Sequence, residues 1–273
     1  MHGPLSKMRA RLGADTEYAL VLGDAETPLN PRLGQVLTLR WTGRIFCDAC
    51  GRETKKSFAQ GHCYPCMQKL ARCDLCVVKP ETCHFAAGTC REPDWGERHC
   101  MIPHVVYLAN TSGLKVGITR ESQLPTRWLD QGATQALPVL GTATRHLAGL
   151  VEIALARSHA DKTNWRAMLK GSGDRIDLAA AASAALAGIA DDLTAIRATH
   201  GADAVWPLDT APLDITYPVT RYPQKIASHN FDKTAAVSGV LEGIKGQYLL
   251  FDNGVINLRK FTGYEVELVD TAA

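Results

Sequence analysis

Four thiols in two Cys-x-x-Cys pairs, Cys47 with Cys50 and Cys63 with Cys66, carry the strongest chemical signal in this sequence. Two such pairs on facing knuckles bring four sulfurs to one tetrahedral centre. Zinc accepts that geometry because its filled d shell imposes no other. The intervening residues suffice for a β-hairpin, and Gly51 and Gly61 stand where tight turns flank a knuckle. Such a site is structural: it holds the chain rather than reacting. A second group follows closely. Cys73, Cys76, Cys83 and Cys90 form a further four-thiolate set suited to a second zinc, with His84, His99 or Cys100 able to replace one ligand and His104 nearby. Thiolate-only ligation also suits an iron–sulfur cluster, although the spacing matches no ferredoxin run. Outside such a set, Cys100 reads as a buried free thiol.

All nine cysteines lie between positions 47 and 100. The odd count and tight clustering point to metal ligation in a reducing, cytoplasmic compartment rather than to disulfides. The first twenty residues include Lys7, Arg9, Arg11, Asp15 and Glu17 without an apolar run, so no secretory signal is read. The most apolar stretch, residues 178–190, is mostly alanine and too short for a bilayer span, so no membrane partner is expected. With 273 residues, 46% of them hydrophobic, the chain has material for roughly two domains and a sizeable core. A net charge of +2 excludes a uniformly cationic body, so a nucleic-acid surface must be a local patch.

The elements that must position these groups divide the chain into four. Residues 1–46 read as an N-terminal β segment, with β-forming runs at 17–22 and 35–41 separated by a Pro/Asn/Gly loop. Residues 47–103 read as a loop-rich zinc module held by metal rather than by a core. In 104–204 the order is strand (105–109), turn, strand (114–119), helix (125–131), strand (137–144), helix (147–159) and a further helix from about Asn164. Gly132 ends the first helix, and an alanine-rich helical extension covers 175–200. Residues 205–273 return to strand, with runs at 246–251, 255–258 and 264–269 around Gly/Asn turns, suggesting a small barrel-like module. The fold class is therefore α+β, without repeats.

The stretch 104–164 resembles the GIY-YIG nuclease superfamily, whose small α/β core has this element order. Val105-Val106-Tyr107 stands at the family's first tripeptide and Lys115-Val116-Gly117 at its second. Arg127 matches the helical arginine, Glu152 the metal-binding glutamate, and Asn164 the asparagine that often follows. Val105 replaces the family's first glycine, Lys115 its second tyrosine, and Gln131 occupies a place where histidine or tyrosine is common. The whole chain also resembles an uncharacterised prokaryotic family, domain of unknown function 2797.

The superfamily resemblance implies a divalent-metal-dependent endonuclease acting on DNA or RNA. Glu152 would hold Mg²⁺ or Mn²⁺ through oxygen ligation, Arg127 would grip the scissile phosphate bidentately, and Gly117 would let phosphate approach the backbone. Tyr107 with Lys115 would handle the protons of water and leaving group. The alternative is a non-catalytic zinc-ribbon protein that binds nucleic acid on the same platform. Trp41, Trp95, Trp128 and Trp165 offer stacking surfaces, and the runs 52–56 and Arg259-Lys260 offer phosphate contacts, although core packing and a solvated surface are the commoner roles of such residues. A packed Tyr107, a solvated Arg127 and Glu152, and Asn164 as a helix N-cap are the corresponding structural readings. The sequence sets no oligomeric state.

Overall fold

In a computed structural model, residues 1–157, 164–171 and 173–269 are described. The amino-terminal segment gives β1 (His2–Pro4), β2 (Arg9–Arg11), β3 (Glu17–Leu22), β4 (Ala25–Pro28) and β5 (Val36–Ile45). In β3 the side chains of Tyr18, Leu20 and Leu22 are buried while Glu17 is exposed, the alternation of a half-buried strand. The cysteine segment adds α1 (Tyr64–Lys69), three 3₁₀ turns and α2 (Pro93–His99).

A central unit follows: β6 (His104–Asn110), β7 (Leu114–Arg120), α3 (Thr126–Gln131), β8 (Gln135–Thr142) and α4 (Arg145–Ala156). α5 (Trp165–Met168), α6 (Leu178–Ala187) and α7 (Ala190–His200) complete its helices. Each predicted element of 104–164 has a counterpart, with ends shifted by a few residues; positions 158 and 159 of the second expected helix lie outside the described residues. Gly132, left-handed at φ 70°, closes α3 as expected. Thr144 caps α4 by accepting from the Leu147 N–H. No single helix among the described residues is long and apolar enough to cross a membrane.

The remaining strands are β9 (Val205–Pro207), β10 (Leu213–Asp214), β11 (Ala236–Lys245), β12 (Tyr248–Phe251), β13 (Gly254–Asn257) and β14 (Tyr264–Val269). The two chain ends, which the sequence keeps apart as 1–46 and 205–273, share one antiparallel sheet in the order β1-β14-β5-β11-β12-β13. The register pairs Leu39 with Leu268 and with Val237, a closure across some 200 residues that no local signal announces. A smaller sheet, β2-β3-β4, packs with it.

The central sheet runs β10-β8-β6-β7, with β9 also on β8. Every residue of β6 is buried, so period-two alternation is absent and both faces are covered. Val105, Tyr107 and Ala109 join the core of the terminal sheets, together with Trp128 and Leu129. Val106 and Leu108 face the opposite way, against Val151 and Leu155 of α4 and Leu178 of α6. The chemistry of the central unit is thereby held between two separate cores.

The cysteine cluster and the basic cleft

The first metal cluster is assembled locally. The Cys47–Cys50 knuckle closes when Gly51 N–H donates to Cys47 O (2.8 Å) and Asp48 N–H donates to Gly61 O (2.7 Å). Cys63 sits at the N-cap of α1, with Cys66 one turn inside. All four sulfurs lie within 4.8 Å of one another, and Cys50 and Cys63 Sγ are 3.8 Å apart. Tetrahedral zinc with bonds of about 2.3 Å requires sulfur–sulfur edges of about 3.8 Å. Burial opposes ionisation of Cys47, but the backbone N–H groups of Cys63, Cys50 and Ala49 outweigh it and bring that thiol down to about 6. Hydrogen bonding to Cys63, then burial and the other two thiols, push Cys66 up to about 12. Four thiolates this close need a cation between them. The residues present fit a structural zinc ion, and Arg52 beside Cys50 offsets part of the negative charge.

The expected second set is divided. Cys73 ends one 3₁₀ turn and Cys76 lies in the next, with extended Asp74 between them, so the two thiols face different ways. Cys73 borders the large cleft described below. Cys76, Cys83 and Cys90 instead border a small cavity with Cys100 and His84. His99 stacks on Trp95, and His104 is buried with Nδ1 on Ile102 O (2.8 Å).

Between the cysteine segment and the central unit lies a cleft of about 600 Å³. β7 supplies Lys115, Gly117 and Arg120; α3 supplies Arg127 and Gln131; α4 supplies Arg145 and Glu152. Gln60, Arg72 and Asp74 face them from the cysteine segment, and Arg259 from the turn after β13. Among these described residues six cations face two carboxylates, a local positive potential in a chain of net charge +2. Asp74 is engaged by Arg91 (2.6 Å), and Glu152 is the acid on the central-unit wall. Burial, and then the neighbouring charge of Arg127, pushes the Arg259 guanidinium down; burial does the same to Arg145. Arg145 Nη2 donates to Val77 O (2.6 Å), while its Nε is buried without a partner. An anion would relieve these crowded guanidinia.

Beneath the floor lies Tyr107, fully buried and outside the cleft lining. A Cβ at residue 117 would come within 2.6 Å of Tyr107 Oη, so only glycine fits above the phenol. With both ends of its amide satisfied, Gln131 donates to Tyr107 Oη (3.1 Å) and accepts from Arg127 Nε (3.1 Å) and Nη2 (3.2 Å). Burial raises the Tyr107 hydroxyl above its ordinary range, while Arg127 acts the other way. The phenol therefore stays protonated.

Of the sequence-derived candidates, the cleft gathers Lys115, Gly117, Arg127 and Glu152, with Tyr107 one layer behind. Asn164 lies elsewhere and caps α5 by accepting from the Ala167 N–H (3.2 Å). Trp41, Trp95, Trp128 and Trp165 are packed against Tyr264, His99, Tyr107 and Tyr248 respectively, none in the cleft lining. Arg259 borders the cleft and its Nε donates to Gln60 Oε1 (2.7 Å), whereas Lys260 and the run 52–56 do not border it. Arg72 and Arg145 were not singled out by sequence. For Arg145 a signal existed: a cation in the first turn of a helix opposes the helix dipole and calls for a reason.

No curated protein and no solved structure matches this chain. The model of a family described as a protein of unknown function (DUF2797) matches residues 34–266, most of its length, and the chain belongs to that family.

Proposed function

We propose that this protein is a zinc-containing, divalent-metal-dependent phosphodiesterase acting on DNA or RNA, with residues 104–164 as a GIY-YIG-like core. The observation that carries this reading is the convergence of Lys115, Gly117, Arg127 and Glu152, from three elements, on one basic cleft. Arg127, aligned by Gln131, is placed to grip a phosphate through two N–H groups. Lys115 adds charge, and Gly117 makes room for the Tyr107 hydroxyl beneath the cleft floor. Glu152 would hold Mg²⁺ or Mn²⁺, whose chemistry there would be to offset charge on the transition-state oxygens and lower the pKa of a bound water. Tyr107 acts through Gln131 as a positioning residue. The zinc module presents Arg72 and Gln60 to the same substrate.

One observation favours a second reading, a nucleic-acid binder without cleavage. Tyr107 is sealed under Gly117, and the second family tyrosine is Lys115, so no phenol among the described residues borders the cleft. The discriminating experiment offers single- and double-stranded DNA and RNA to the full chain with Mn²⁺ or Mg²⁺, beside Glu152→Ala. Product from the wild type, lost in the variant while zinc content and folding persist, is the expected result. Tight, steeply salt-dependent binding without product selects the second reading. Neither binding nor product on any substrate removes nucleic acid from the account.

A further inference from the structure

Residues 47–103 give no side chain to any buried apolar cluster among the described residues. A segment of that length cannot hold its shape by turns alone, and metal is the usual substitute for a core. The first cluster fixes only 47–66. Beyond it, residues 71–103 consist of 3₁₀ turns, the short helix α2 and connecting loops, yet they fold back on themselves closely. A Cβ at Gly96 in α2 would meet the Phe85 ring at 2.9 Å and Cys90 Sγ at 3.3 Å.

At the centre of this fold-back is a small cavity of about 20 Å³, bordered among others by Cys76, Cys83, Cys90 and Cys100. That is room for about one water-sized particle. The other three thiols bear electrostatically on Cys76, and Cys83 and Cys90 do so on Cys100. Cys100 is delivered by the end of α2, where its N–H donates to Gly96 O (2.7 Å). A competing trio, Asp74, Cys76 and His84, lies within 4.8 Å, a distance the four sulfurs do not all keep among themselves. Asp74 is occupied by Arg91 at 2.6 Å, while His84, whose Nδ1 meets Thr89 Oγ1 at 2.8 Å, keeps Nε2 turned to Asp74 at 3.6 Å. They form a polar shell beside the thiols. Four thiolates around one zinc carry a net negative charge, and Arg145 lies in the field of both Cys76 and Cys100 to offset it.

We propose that Cys76, Cys83, Cys90 and Cys100 bind a second structural zinc ion, with Cys73 outside its ligand set. The ion fastens the cysteine segment to the start of α4, where Arg145 N–H donates to Cys100 O (2.8 Å) and His146 meets Pro80 O (3.2 Å). This inference does not depend on the proposed cleavage activity.

Elemental analysis of the purified full chain tests it, with the wild type beside Cys100→Ser, Cys83→Ser and Cys73→Ser. Two zinc ions per chain are expected in the wild type and in Cys73→Ser, and one in the other two variants. A single zinc in the wild type overturns the proposal, as does loss of zinc from Cys73→Ser with full retention in Cys100→Ser. Where a variant fails to fold, X-ray absorption of the wild type decides. An all-sulfur shell at two zinc ions per chain supports the proposal. Nitrogen or oxygen in the shell overturns it in favour of the Asp74, Cys76 and His84 trio. Iron with visible absorption overturns zinc as the metal.

Discussion

In the segment 47–66 four ligands come from two turns of one stretch of chain, separated by a hairpin. In the adjoining cleft Lys115, Arg127 and Glu152 come from β7, α3 and α4, and Arg72 and Arg259 reach in from outside that unit. The first site is local, and spacing alone determines which groups meet. The second is assembled by packing: the side of α4 that presents Glu152 is set by Val151 and Leu155 on the core sheet. α4 is also pinned at its start by the cysteine segment, and a Cβ at Gly149 would meet Pro80 Cβ at 2.6 Å. A local site fails by losing a ligand, whereas an assembled one fails by losing alignment.

The largest effect should come from breaking the local site. Cys47→Ser, or chelation, removes a zinc whose binding is worth on the order of 10 kcal/mol and unfolds residues 47–66. Hydrogen exchange should lose protection there while β6 and β8 keep theirs. If protection in 47–66 survives zinc removal, metal does not hold that segment.

A pH effect comes next, from His104 beneath the junction of the two regions. Burial, with the charges of Arg145 and Arg120 and against the Ile102 O hydrogen bond, holds it down to about 4, from an ordinary 6.5. Between those values the unfolded chain takes up a proton that the folded chain refuses. Stability therefore falls as pH drops through that window, by about 3 kcal/mol. His104→Gln cannot charge and should flatten this slope in urea unfolding. Thiolate protonation acts on both proteins, so an equal slope would deny His104 the role.

Alignment in the assembled site is probed by Gly117→Ala, which forces Tyr107 aside. It should cost about 1–3 kcal/mol in thermal or urea unfolding. An unchanged midpoint would show that the phenol is not confined as described. The smallest effect is that of Asn164→Ala, about 1 kcal/mol from a lost cap. It should leave nucleic-acid cleavage unchanged; a large loss of rate would return Asn164 to the catalytic group.

Much of the central unit was legible because its elements are short and carry their own punctuation. The turn at 110–113, Gly132 after α3 and the apolar periodicity of α4 are local signals. Pairing of β5 with β11 and β14 was not legible, since loop closure over such separations leaves no mark in a window of sequence. The same distinction divides the site. Cys47, Cys50, Cys63 and Cys66 follow from spacing. Spacing offers Cys100 as a substitute in the second set but does not show that Cys73 turns away from Cys76, because that follows from the 3₁₀ turns at 71–73 and 75–77. Arg72 sits in an unremarkable polar run and becomes a cleft residue only when the cysteine segment docks.

The most direct test of the central claim is the rate of phosphodiester product formation in Mn²⁺ by wild type and by the isosteric Glu152→Gln, at matched zinc content. The account predicts divalent-dependent product from the wild type and a loss of at least about 10²-fold in Glu152→Gln, roughly the size of a lost charged transition-state contact. Equal rates in the two proteins, or product that does not require the divalent ion, would contradict it.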